Sequence, residues 1–455
     1  MRTETDSFGP MEVADDALYG AQTARALANF QLSDERLPDR FIQACLAIKA
    51  AAARANSELG VLEADVSNAI VAACHSAEQL DFKQQFPVDV YQTGSGTSTN
   101  MNVNEVLATL ASRNSGVKVN PNDHVNASQS SNDTIPAAIQ ISAVLALESQ
   151  LLPALTALNN CIEERGVAFA DVIKTGRTHL MDAMPISVQQ EFSAWCETLS
   201  TNQRRLQQCL TRLKALPQGG TAIGTGINAP DGFADRFCFH LNHQLQSDFC
   251  PHNNPFYGIS MQDATLELSS ILRAIAVALI KISNDLRWMN SGPLAGLAEI
   301  ALPALQPGSS IMPGKVNPVI PEAVIMASYQ VMGFDSAIAL CAQSGNFQLN
   351  VTLPLIARNL LQGIELLSQA CQHLDHKALR KLSIQQVNIE RPLQLNPVLV
   401  TALNPIVGYQ KAAEIAKAAY QEGRPILDVA GEMTDLSEQE LIKLLDPKRL
   451  AHPES

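Results

Sequence analysis

The residues best suited to do chemistry lie together in Pro307-Gly308-Ser309-Ser310-Ile311-Met312-Pro313-Gly314-Lys315-Val316-Asn317-Pro318. Prolines and glycines shape a loop in which two adjacent hydroxyls precede one cation and one amide. Lys315 can pair with a substrate carboxylate, and Asn317 can donate to it. A hydroxyl in such an electropositive loop can be pushed toward alkoxide character and act as a base. A Ser-Ser-Gly stretch by itself reads as a flexible surface turn. Here the apolar Ile311-Met312 pair, and a helix expected to open near Pro321-Glu322, favour an ordered, packed loop.

Other polar segments offer complementary groups. Ser130-Ser131-Asn132 precedes a helical pattern, where backbone N–H groups and the positive end of the dipole favour an anion. Helix capping alone is the competing reading. Thr93-Gly94-Ser95-Gly96-Thr97 is a second donor-rich loop whose glycines allow close backbone approach. It lacks the strand, the spacing and the Lys of a phosphate loop, as does Gly219–Gly226, so nucleotide binding is disfavoured. His179 follows Gly176-Arg177-Thr178 just before an expected helix. A structural role competes there, but a carboxylate such as Glu322 would favour its protonated form and orient it for proton transfer. Cys238, His240 and His243 have no fourth ligand nearby and fall in a helical pattern, so no metal site is expected.

Long helical patterns must position these loops. Within Gln262–Asn290, Leu268, Leu272, Ile275, Leu279, Ile282, Leu286 and Met289 follow steps of four and three. That is an a/d seam sustained over three heptads. A second pattern starts at the possible N-caps Asn132-Asp133-Thr134, with Pro136 near its first turn, and runs through Ile141, Leu145 and Leu152 to a kink predicted at Pro153. A third spans Ile186 to about Leu216, and a fourth follows Pro354 through Ile356, Leu360, Ile364 and Leu367. Helices of roughly 25–30 residues exceed the ~12-residue mean and predict a mainly all-α fold built on an elongated bundle. No linker marks a boundary. Soft boundaries near Ser130 and Asn388, where long-helix patterning begins and ends, give an N-terminal mixed domain (1–129), a long-helix domain (130–387) and a small helical domain (388–455).

Composition narrows the class. Of 455 residues, 46% are hydrophobic and 17% charged, which suits large cores and argues against disorder. Lys+Arg 32 against Asp+Glu 45 leaves a net charge of −13, which disfavours nucleic acid as a partner. No apolar stretch approaches the ~18 residues of a spanning helix, so no membrane partner is expected. The N-terminus, MRTETDSFGP, lacks the apolar core of a signal peptide. Nine dispersed cysteines with no CxxC pair read as reduced thiols, and the expected location is cytoplasmic.

The run Gly308–Pro318 resembles the signature of the aspartase/fumarase superfamily. The likeness covers nearly the whole chain. It begins at Tyr19-Gly20-Ala21-Gln22-Thr23, continues through Thr93–Asn104, Ser128–Asp133 and Gly176–Pro185, and ends near Leu403-Asn404-Pro405 and Gly408-Tyr409. Ser130-Ser131-Asn132-Asp133, Gly219-Gly220-Thr221-Ala222 and Asn346–Val351 resemble the class II fumarase pattern rather than that of aspartase.

The resemblance implies a reversible hydration of fumarate to L-malate through an aci-carboxylate, with no metal or organic cofactor. It implies Ser309 as the base for the carbon-bound proton, and His179, paired with Glu322, on the hydroxyl or water side. Ser95, Gly96, Thr97, Ser130, Ser131, Asn132, Thr178, Ser310, Lys315, Val316 and Asn317 would hold the dicarboxylate. It also implies a homotetramer with a central bundle and active sites each built from three subunits. The seam at Leu268–Met289 is what such a bundle requires. A secondary dicarboxylate site would fall at Asn120, Pro121, Asn122 and Asp123, where Asn120 replaces the His of the fumarase pattern. Ser98 stands where fumarases carry Gln, and Leu294 replaces an Arg. The first two departures lean toward aspartate ammonia-lyase, which stays as the alternative. A catalytically silent structural protein on the same fold is the third reading, and the joint presence of Ser309, His179, Lys315 and Glu322 argues against it.

Overall fold

The computed structural model describes residues 1–452, and helices dominate it, as the periodicity predicts. Among the described residues, strands occur as two-stranded pairs. Three are antiparallel: β1 (Arg2–Asp6) with β2 (Gly9–Val13), β3 (Ile173–Thr178) with β4 (Met181–Ser187), and β7 (Ile300–Ala301) with β8 (Ser383–Ile384). The fourth, β5 (Ala215–Leu216) with β6 (Cys250–Pro251), is parallel. The helices up to Ala168 are α1 (Ala21–Asn29), α2 (Asp39–Glu58), α3 (Ala64–Ala77), α4 (Phe82–Gln85), α5 (Thr97–Ser115), α6 (Ser131–Ala146) and α7 (Leu152–Ala168). They are followed by α8 (Val188–Leu213), α9 (Phe233–Leu245), α10 (Pro255–Ser260), α11 (Asp263–Met289), α12 (Val319–Ala342) and α13 (Leu353–Lys377). Shorter helices continue to Ala451.

Contacts divide the chain into two compact units, each assembled from separated stretches. The first contains Met1–Pro153, Gln203–Ala274 and Tyr329–Ser368; the second contains Ala154–Asn202, Ile275–Ser328 and the chain from Gln369 onward. Within the second unit, the residues after Asn388 form an apolar cluster of their own around Leu403, Ile415, Ile426, Val429 and Leu441.

The heptad seam is present in α11, and all seven of its residues are buried. Gly363 on α13 lets Leu272 approach to 3.6 Å and Val331 of α12 to 3.9 Å from the position a Cβ would take. The seam is therefore buried within one chain, which corrects the expectation that it calls for partner subunits: helices of the same chain satisfy an a/d stripe equally well. The large apolar residues left exposed are different ones, including Val277 and Trp288 on α11 and Met326, Tyr329 and Leu340 on α12.

The helix predicted to start at Asn132–Thr134 is capped earlier, at Ser130. Its irregularity is a π-turn at Leu147–Leu151 rather than a kink at Pro153 itself. Pro153 has no N–H for the carbonyl of Ser149, and the turn before it rearranges accordingly. This joins α6 and α7 into one helical run, Ser131–Ala168, which like Val319–Ala342 is long and apolar enough to cross a membrane. The expectation that no stretch approaches that length is corrected on this point. Ile135, Ile139, Ile141, Val144 and Leu147 of the first run are fully buried within the protein, as in a core helix.

Candidate active site

The first unit carries one arc of donors. Gly96 takes φ +73° and caps α5, where a Cβ would meet Ile135 Cγ1 at 2.9 Å. Gly94 is tighter still: a Cβ there would lie 1.6 Å from the Val351 carbonyl oxygen. Gly94 lets the Ser95–Thr97 turn sit against the Val351 backbone and Gly96 lets it sit against the Ile135 side chain, with the hydroxyls of Ser95 and Thr97 2.8 Å apart. At the N-terminus of α6, the Ser130 hydroxyl accepts from Asn132 N, while Ser130 N donates to Asp133 Oδ1 at 2.9 Å, a reciprocal cap. Ser131 Oγ accepts from the Asn100 side chain at 3.1 Å, and Asn132 Nδ2 donates to the Ala222 carbonyl at 2.8 Å. The other Asp133 oxygen accepts from Gly219 N at 3.0 Å and Thr221 N at 2.8 Å, tying the Gly219–Gly226 loop to this helix end. Burial raises the Asp133 pKa, while these N–H groups and Lys49 pull it down.

The loop at 307–318 belongs to the second unit. Gly308 N donates to the Lys315 carbonyl at 2.7 Å, and Asn317 Nδ2 donates back to the Gly308 carbonyl at 2.8 Å. A Cβ on Gly308 would meet Lys315 O at 2.6 Å, so this ring closes only around glycine. Ser309 Oγ accepts from the N–H groups of Ile311 (3.2 Å) and Met312 (3.1 Å). Lys315 Nζ donates to Asn317 Oδ1 at 2.9 Å. Ser310, Lys315 and Val316 are exposed, and Ser309 and Asn317 are half-buried. Ile311 is 84% exposed, so apolar packing does not order the loop as its sequence suggested; backbone hydrogen bonds do. Lys315, Val316, Asn317 and Glu322 of α12 share one cavity with Arg287 and Asn388.

Thr178 and His179 lie on a β-hairpin in the same unit, not just before a helix as expected; α8 starts at Val188. Thr178 pairs with Met181, leaving His179 and Leu180 as a two-residue turn with φ +56° and +62°. Both signs are those of a type I′ turn, usually built from Asn or Gly. Two non-glycine residues held there mark strain of the kind found at functional sites. The hairpin is anchored by Lys174 and Arg177, which pair with the buried Glu299 at 2.7 Å each; Lys174 also pairs with Glu191 at 2.9 Å.

Of the expected groups, Lys315, Asn317 and Glu322 of the second unit line that one cavity together. Among the described residues, neither His179 nor Glu322 has an ion-pair partner, and the two do not meet. Asn120 caps a π-turn at Pro121–Val125, accepting from the N–H groups of Asn122 (2.8 Å) and Asp123 (3.0 Å). The sequence reading passed over Asp133, Glu299, Lys174 and Lys49 as site supports. A lone charged residue inside an otherwise apolar run, as Lys49 is within Leu46–Ala53, was the available signal.

A family described as lyase matches residues 9–333, and the fumarase C C-terminus matches residues 399–452. A class II fumarate hydratase of Pseudomonas aeruginosa is 55% identical, covering 99% of this chain and 98% of its own length. One from Thermosynechococcus vestitus is 46% identical over 96% of this chain and 95% of its own. The crystal structure of a class II fumarase from Schistosoma mansoni superposes with a TM-score of 0.97 at 37% identity, over 100% of both chains. The chain belongs to the class II fumarate hydratase family.

Proposed function

We infer that this chain catalyses the reversible anti addition of water to fumarate, giving L-malate. The observation that carries the reading is the full-length likeness to class II fumarate hydratases, at 55% identity in the Pseudomonas aeruginosa relative. Hydration needs one group to handle water and another to exchange a proton at the neighbouring carbon. That C–H is a very weak acid, so the adjacent carboxylate must be stabilised as a dianionic aci form. A preorganised donor aimed at such charge is worth ~3 kcal/mol in the transition state.

Ser309 is assigned the carbon-bound proton. In dehydration its oxygen takes that proton, and the N–H groups of Ile311 and Met312 support negative charge on it. Lys315 and Asn317, with Ser310 and Val316, grip one carboxylate; Ser95, Gly96, Thr97, Ser130, Ser131, Asn132 and Thr178 grip the other. His179 delivers a proton to the departing hydroxyl and is polarised by Glu322. Because those two do not meet within one chain, the pairing is assigned to neighbouring subunits of a homotetramer. The exposed Val277, Trp288, Met326, Tyr329 and Leu340 support such contacts. Nine free cysteines support a reducing, cytoplasmic location. No metal or organic cofactor enters this scheme. The test is absorbance of the fumarate double bond with malate, then aspartate, as the single substrate. Malate is expected to be dehydrated; turnover of aspartate alone would transfer the assignment to aspartate ammonia-lyase.

A further inference from the structure

Lys49 sits in the middle of α2, within the buried run Leu46–Ala53, and its own side chain is fully buried. Its Nζ donates to Asn126 Oδ1 and to Gln129 Oε1, each at 3.0 Å. Asn126 Oδ1 also accepts from Asn100 Nδ2 (3.1 Å) and Asn104 Nδ2 (3.2 Å), and Asn126 Nδ2 donates to the Gln129 carbonyl at 3.2 Å. Gln129 Nε2 holds the Val125 and Ala127 carbonyls, and Asn100 Nδ2 reaches Ser131 Oγ at 3.1 Å. An unbroken set of hydrogen bonds thus runs from the ammonium to the backbone entering Ser130 and to the hydroxyl of Ser131. No step of the hydration scheme uses Lys49, and an isolated buried cation is costly. Its position answers a second problem. The Asp133 carboxylate occupies the same N-terminus of α6, where its charge opposes an incoming substrate carboxylate. Lys49 acts on it as the opposite charge.

We propose that Lys49 is a positioning residue for the carboxylate-binding arc Ser130–Asn132, fixing it through Asn126 and Gln129 and offsetting Asp133. The inference rests on the reading that this arc binds substrate. Lys49 never touches the dicarboxylate, so it governs affinity more than turnover.

Burial pulls Lys49 down to about 8, against the opposing influence of Cys45, Asp133 and Cys74. Those are the titratable groups facing it, from α2 itself, α6 and α3. Asn100 and Asn104 of α5 and the segment before Ser130 present amides. Arg236 and His240 of α9 pair with Glu58, nine residues further along α2. Burial pushes both Cys45 and Cys74 up to about 12, so they stay neutral while Lys49 titrates. Dicarboxylate affinity should therefore fall as pH rises through 8.

The experiment is steady-state kinetics on malate and titration with succinate, from pH 6.5 to 9, on wild type, Lys49→Met, Gln129→Met and Asn132→Ala. Lys49→Met is expected to raise KM and the succinate Kd by ~10-fold or more, with kcat within about threefold, and to abolish the loss of affinity near pH 8. Gln129→Met should raise both in the same direction. Wild-type affinities in a folded Lys49→Met, alongside an impaired Asn132→Ala, would overturn the role of Lys49 and leave the arc standing. Wild-type affinities in both would overturn the arc and the inference together. If Lys49→Met does not fold, unchanged affinity in Gln129→Met, or a wild-type affinity that is flat across pH 8, overturns the inference.

Discussion

Gly94→Ala is the sharpest perturbation of the donor arc. Its φ is not left-handed, so a side chain is excluded by space alone. The added Cβ would lie 1.6 Å from the Val351 carbonyl oxygen, 2.4 Å from its carbon and 2.9 Å from its Cα. All three are backbone atoms, so no rotamer change relieves the clash. The two segments must part by roughly 2 Å, and a misplacement of about 1 Å can cost 10²-fold in rate. The hydrogen bond from Leu353 N to the Gly94 carbonyl, 3.0 Å long, would also be lost, at about 1 kcal/mol. Since Ser95 and Thr97 follow directly, kcat/KM for malate is expected to fall by at least ~100-fold while far-UV circular dichroism stays helical. Gly116→Ala at the other end of α5 is the control. Gly116 has φ +75° but nothing within 4 Å of a Cβ, so that variant should lose about 1 kcal/mol of stability and keep its kcat/KM. If Gly94→Ala retains kcat/KM within about threefold, this turn does not position substrate.

Ser309→Ala should lower turnover at least ~100-fold, the low end for loss of a general base, with succinate binding kept; Lys315→Met should instead weaken succinate binding, and His179→Asn should be the milder of the proton-handling variants in kcat. Glu299→Ala leaves Arg177 unpaired and Lys174 with Glu191 alone. The cost of breaking such a buried pair is ~3–5 kcal/mol, read as a lower thermal midpoint, with kcat falling because the His179 turn loses its anchor. Lys49 also sets a pH dependence of stability. Burial holds its folded pKa at about 8, below the ordinary lysine value of 10.5, so between these values the unfolded chain binds more protons and stability rises with pH. Melting curves of wild type against Lys49→Met should show wild type gaining across that window, and a constant difference would contradict the buried ammonium.

The long helices were legible because their signal is local. Leu268 to Met289 repeat in steps of four and three, and that stripe is buried as the spacing requires. The 307–318 loop was legible for the same reason, since the glycines and prolines that break the helical pattern lie close together in sequence. What covers a stripe is not local: the α11 seam is buried by helices of its own chain, and periodicity carries no information on which chain supplies a neighbour. The His179 hairpin was hidden because its turn lacks the Asn-Gly signature of a type I′ loop, and because the buried Glu299 that anchors it lies over a hundred residues away. Ile311-Met312 suggested packing by composition, whereas order in that loop comes from main-chain bonds to Ser309 Oγ that composition cannot reveal. Asp133 could have been read from its place three residues after Ser130, where a carboxylate completes a cap; its second oxygen holding Gly219 and Thr221 could not.

The central claim is that this chain adds water across fumarate in anti fashion, with one proton placed at carbon. Incubating fumarate with the protein in deuterium oxide, and reading the malate formed by proton NMR, tests it most directly. The account predicts malate carrying a single deuterium at the methylene carbon, in one configuration, anti to the hydroxyl, and no deuterated malate from Ser309→Ala on the same timescale. No malate at all, with aspartate appearing once ammonium is added, or malate labelled equally in both configurations, would contradict it.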